Sequence, residues 1–100
     1  MNNSRRKEIN ILIAKLERAE TKEDVQNCID ILEGIQIDEQ YYFDNIPENL
    51  QSSERAYLSE EAIENMEEAL SNLNDALTAE GENTEELIET AIVCLEDAQL

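Results

Sequence analysis

Histidine and tryptophan are absent from this 100-residue chain, and only one proline (Pro47), two glycines and two cysteines occur in it. Without histidine there is no His-based catalytic dyad, and a zinc site built on two distant cysteines is excluded as well. Two glycines and one proline are too few for the turns of an all-β fold. Cys28 and Cys94 sit within apolar periodic stretches and read as buried thiols of a reducing cytoplasm. Neither a signal peptide nor a transmembrane run is recognisable, so the expected location is the cytoplasm. No calcium-loop spacing, phosphate-cradling glycine motif or dinucleotide fingerprint occurs, and no cofactor or metal is expected.

Aromatics are scarce and basic residues are confined. All four aromatics fall in one stretch: Tyr41, Tyr42, Phe43 and Tyr57. Residues 1–22 carry six bases and three acids, whereas residues 23–100 carry twenty-two acids and the single base Arg55, a net charge of −21. That long acidic part opposes direct contact with nucleic acid or an anionic membrane and favours a basic protein surface. The basic amino-terminal segment reads as a neutralising partner of the acidic remainder, within the chain or across a dimer. A nucleic-acid-binding arm is usually denser in Arg and Lys.

One small domain, residues 1–100, is what this length supports. Its core must come from Ile, Leu and Ala. Ile9, Leu12, Ile13 and Leu16 follow the i, i+3, i+4, i+7 spacing of a helical face over about residues 5–20, with Ser4 as the expected cap. Thr21-Lys22-Glu23-Asp24 resembles a capping box, and Val25, Cys28, Ile29 and Leu32 repeat the spacing over 22–43. A break near Gly34 and one continuous helix across 5–43 both stay open. Asp44-Asn45-Ile46-Pro47 ends this part, and 44–53 reads as a loop.

A third helix, 54–79, follows a serine cap and carries Ile63, Met66, Leu70, Leu73 and Leu77 at heptad positions a and d. Ala62, Ala69 and Ala76 flank them as a ridge that admits a close neighbour. Gly81 ends the helix, and Asn83 with Glu86 is spaced as the box that opens the last one, 84–98. The expected fold is all-α: a three- or four-helix antiparallel bundle, with a long helical hairpin in its C-terminal half and with dimerisation.

Glu60, Glu61, Glu64, Glu67 and Glu68, then Glu85, Glu86, Glu89, Glu96 and Asp97, resemble the magnesium-binding helices of all-α nucleotide pyrophosphohydrolases. The heptad frame opposes that use: with Ile63 at a, Glu64 falls at b, Glu67 at e and Glu68 at f, away from a shared cavity. The enzyme reading is therefore a remote alternative. In the aromatic segment, Tyr41, Tyr42, Phe43, Ile46, Leu50 and Tyr57 are expected to plug the end of the bundle, pinned by an Arg55 pair with Asp44 or Glu48. The same loop offers tyrosine and arginine as a recognition surface. Candidate partner-binding residues are Tyr41, Tyr42, Asp44, Glu48, Arg55, Glu60, Glu61, Glu64, Glu67 and Glu68.

Asp44-Asn45-Ile46-Pro47-Glu48-Asn49-Leu50-Gln51, then Ser53-Glu54-Arg55 and Glu60-Glu61-Ala62-Ile63, resembles a family of small acidic proteins encoded by phages and mobile elements of Gram-positive bacteria. The Asn2–Lys7 opening and the Glu39–Phe43 lead-in are similar too, while Thr21–Ile37 is less regular than the charged helix usual there. The resemblance implies a phage-like setting in a host bacterial cytoplasm and supplies no activity or binding residues. Such proteins are often inhibitors of host enzymes or defence systems. The expected function is thus a non-enzymatic acidic module that binds and inhibits a basic host protein, a nucleic-acid-binding or anti-phage defence factor, by nucleic-acid mimicry. The alternative is a structural or assembly homo-oligomer.

Overall fold

The computed structural model describes residues 1–99, and among these the chain forms four α-helices: α1 (Asn3–Glu17), α2 (Lys22–Asp44), α3 (Glu54–Thr78) and α4 (Glu82–Asp97). They run up, down, up and down as an antiparallel bundle. Each helix packs on the next, and α1 closes the ring against α4. The body measures 48 × 20 × 18 Å. At 1.5 Å per residue α2 and α3 are about 35 Å long, half as long again as their partners. They therefore overhang α1 and α4 at one end, and the loop joining them forms a tip. A single 3-10 turn, Glu48–Leu50, lies in that loop.

Local chemistry sets the helix ends. Asn2, not Ser4, caps α1: its side-chain oxygen accepts from the Arg5 N–H at 2.8 Å, so Ser4 lies inside the first turn. The chain stops α1 at Glu17 because the next capping box takes over. The Glu20 and Thr21 N–H groups donate to the Asp24 carboxylate, and Thr21 Oγ1 accepts from the Asp24 N–H. Two helices therefore fill residues 3–44, and α2 runs unbroken through Gly34. Asn45 closes α2 by donating from its side chain to the Tyr41 carbonyl at 2.7 Å, and Pro47 prevents continuation. Of the two candidate serines, Ser52 and Ser53, it is Ser53 that caps α3, by accepting from the Ala56 N–H. The Asn83–Glu86 box does not form. Instead α4 starts two residues earlier, behind Gly81 at φ +63, a backbone conformation that suits only glycine.

The core joins Ile9, Leu12 and Leu16 of α1 to Val25, Ile29 and Leu32 of α2, Met66 and Leu73 of α3, and Ala91 and Leu95 of α4. On α3 the alanine ridge is buried throughout, as are Met66 and Leu73 of the heptad seam. Ala62, Ala69 and Ala76 are within 2 % of full burial, whereas Leu70 and Leu77 are half-buried. Contact with α2 on one side and α4 on the other demands a wide apolar arc, and the small residues let those neighbours approach.

Three bases of the amino-terminal segment serve this packing. Lys22 Nζ donates to the carbonyls of Ala76 and Ala79 at the end of α3. Arg6 Nε donates to the Gln99 carbonyl just beyond α4, at 3.1 Å. Both place positive charge where a helix dipole is negative. Arg5 enters the cluster described next.

Candidate functional site

Among the described residues two polar side chains are fully buried, Glu39 and Ser59, and they meet below the tip. Arg5 Nε donates to Glu39 Oε1 at 3.1 Å, Ser59 Oγ donates to Glu39 Oε2 at 2.6 Å, and the Met1 ammonium stands 3.9 Å from Oε1. The Arg5 guanidinium lies over the Tyr42 ring, 5.4 Å from its centroid. One carboxylate thus ties α1, α2 and α3 together where the bundle body ends. Burial lowers the pKa of the Met1 ammonium, and Glu39 opposes that shift. Among the described residues no buried side-chain polar atom lacks a partner.

This clasp replaces the expected plug. Ile46 is buried and Tyr42 and Phe43 are half-buried, but Tyr41, Tyr57 and Leu50 are exposed at 72 %, 60 % and 45 %. Asp44 accepts from the Gln40 side chain at 3.0 Å, and Glu48 projects from the 3-10 turn. Arg55 pairs with neither acid; among the described residues both ion pairs involve Glu39. The pinning role belongs to Arg5, which approaches from α1 and so reaches the buried side of α2.

Apolar periodicity had a signal for the clasp that charge obscured. Glu39 continues the Cys28-Leu32-Ile35 stripe at spacing four, and Ser59 continues Ala62-Met66-Ala69 at spacing three. A polar residue on a buried stripe needs a polar partner, and here each supplies one to the other.

The candidate residues divide between two places. Tyr41, Tyr42 and Arg55 line a cleft of about 720 Å³ at the tip, together with Arg5, Ile46, Pro47 and Leu50. The five glutamates lie farther along α3, all exposed. At 100° per residue they fall within about 120° of arc, opposite the buried face, and Arg55 projects from the other side of the helix. From Glu60 to Glu68 the rise is about 12 Å, or about 3 Å per charge. Tyr57 stands in the same arc and donates its hydroxyl to Glu61 Oε1 at 2.9 Å; that bond, with the charge of Glu61, raises the phenol's pKa.

On α4, Glu82, Glu85, Glu86, Glu89, Glu96 and Asp97 form a similar exposed stripe around Val93. None of these carboxylates is paired with a cation among the described residues. No group of three or more acidic or cysteine side chains there is placed to share a metal ion. No described helix is long and apolar enough to cross a membrane. Both thiols are buried and free, and burial raises the pKa of Cys28 and, with Glu68 adding to it, that of Cys94.

Comparison with family models, with curated proteins and with solved structures finds no match to the chain.

Proposed function

We propose that the protein is a non-enzymatic binding module whose acidic α3 surface engages a basic protein of a bacterial host, a nucleic-acid-binding or defence factor, and blocks it. One observation supports this reading above others: five exposed carboxylates on one side of α3, none in an ion pair among the described residues. Their spacing of about 3 Å is close to the 3.4 Å per phosphate of one DNA strand. A basic groove that accepts a phosphate backbone would therefore meet a similar mean charge per unit length. Tyr57, held in the stripe by Glu61, adds an amphipathic contact of the kind enriched in binding hot spots. The phage-like setting implied by the Asp44–Arg55 segment agrees with an inhibitor acting in the host cytoplasm.

The test is a salt-graded pull-down from host lysate, followed by competition with duplex DNA on the recovered protein. The reading expects a nucleic-acid-handling protein whose capture falls steeply with salt and is reversed by DNA. Replacing Glu61, Glu64 and Glu68 by Gln should abolish capture without changing the far-UV circular dichroism. Capture that persists at high salt, or survives the triple substitution, rules out mimicry by this stripe.

A further inference from the structure

A second surface carries a different kind of contact. Ile11 of α1 and Ile37 of α2 are 59 % and 68 % exposed, on the side of the bundle away from α3 and α4. Between them α1 and α2 leave a groove of about 460 Å³, floored by Leu12 and Ile35 and bordered by Gly34. Gly34 is exposed within α2, and a Cβ there would meet no atom within 4 Å. Packing inside the chain therefore does not require glycine, although glycine costs a helix interior about 1 kcal/mol relative to alanine. A missing side chain at that point keeps the groove open toward the outside.

Charge around the groove is polar along its length. Glu8 and Asp38 border one end and Lys15 the other. Glu8 and Lys15 are seven residues apart on one side of α1, about 10.5 Å by helical rise, with Ile11 between them. None of the three has an ion-pair partner among the described residues. A twofold axis through the middle of such a groove lays its acidic end on the basic end of an identical groove, and the reverse.

We propose that this face is a self-association surface, on which a second copy of the chain packs antiparallel. Ile11 of each copy enters the other's groove beside Gly34, and Lys15 of each faces the other's Glu8 and Asp38. The occupant follows from the charge. Two chains of net charge −18 repel wherever their acidic stripes meet, and α1 is the helix that offers an unpaired lysine beside an apolar groove. A basic partner gains little here, because the rim carries both signs; the stripe on α3 suits it better.

Sedimentation velocity from about 1 to 100 μM tests the proposal, since a small interface is half-populated in that range. The wild-type chain is expected to dimerise. Lys15→Glu makes both ends acidic, and the double variant Glu8→Lys, Asp38→Lys makes both basic. Each should weaken self-association by at least about tenfold, because like charges meet across the dyad. An equimolar mixture of the two variants should restore the dimer as a heterodimer. All three positions are exposed, and circular dichroism would show the fold retained. A wild-type chain monomeric to about 100 μM overturns the proposal. So does a dimer indifferent to both variants, or variants that remain apart when mixed.

Discussion

Removing Arg5 probes the clasp most directly. In Arg5→Ala the Glu39 carboxylate stays fully buried, with the Ser59 hydroxyl bonded to it and the Met1 ammonium at 3.9 Å as its remaining cation. Stripping one partner from a buried ion pair typically destabilises by about 3–5 kcal/mol. The amino terminus compensates in part, which places the expected loss at about 3 kcal/mol, and the lost stacking over Tyr42 adds about 0.5–1 kcal/mol. Glu39→Gln keeps the volume and a Ser59 acceptor. It leaves Arg5, which is 13 % exposed and able to turn toward water, so the expected loss is smaller, about 1–2 kcal/mol. The double variant Arg5→Ala, Glu39→Gln leaves no buried charge without its partner and keeps an acceptor for Ser59, so its loss should fall below the sum of the two single losses. Urea unfolding at one pH measures all three, and the cycle gives a coupling of about 2 kcal/mol. An Arg5→Ala loss below about 1 kcal/mol, or a double variant as unstable as the two single losses summed, would falsify the clasp as the tie among α1, α2 and α3.

Gly34→Ala should stabilise the dilute monomer by about 1 kcal/mol in thermal unfolding, because the added methyl meets nothing within the chain. The same change should raise the dimer dissociation constant, and stabilisation of both species would argue against Ile11 seating at that point. Asp24 is held below the ordinary carboxyl range by the Glu20 and Thr21 N–H groups, so the unfolded chain binds its proton more readily. Its contribution is full above about pH 4 and fades as pH falls through the lowered folded value. Asp24→Asn should therefore make acid unfolding less steep in that window, and an unchanged profile would refute the assignment. Cys28 and Cys94 should label with a maleimide only as fast as the chain unfolds, since burial keeps both thiols protonated. Complete labelling of the native protein within minutes would contradict their burial.

Helix positions were legible wherever periodicity and caps agreed. Thr21–Asp24 placed the start of α2, the serine pair Ser52-Ser53 placed the start of α3, and the stretch from Asp44 to Pro47 ended α2 within a residue of expectation. Errors occurred where two caps competed. Asn2 and Ser4 are both good cap residues, and only the bond to Arg5 distinguishes them. Gly81 preceded the Asn83 box because glycine adopts the positive φ that turns the chain directly into α4. The clasp was less visible, since glutamate on a helix usually means solvent. Long-range pairing of Arg5 with residue 39 depends on how far α1 reaches along α2, which no local pattern encodes. Tyr41 and Tyr57 are exposed for a simpler reason: each falls on the outward side of its helix, opposite the buried stripes that hold Glu39 and Ser59.

The distribution of the bases bears on why the acidic stripes stay unpaired. Lysines or arginines placed four residues from glutamates along α3 would each stabilise that helix by about 0.3–0.5 kcal/mol and keep the surface soluble. The chain instead sets Arg5, Arg6 and Lys22 against a buried carboxylate and two helix ends, where each holds one helix to another. Those contacts depend on tertiary structure and leave the surface field of α3 and α4 unscreened. Solubility alone requires only that net charge depart from zero, which interleaved signs with an acidic excess would achieve with less self-repulsion. Five glutamates on one side of a helix therefore repel one another in the isolated fold and give that side a continuous negative field. A cationic surface docked on the stripe would offset that repulsion through its attraction to the carboxylates, a gain that salt screens along with the repulsion itself.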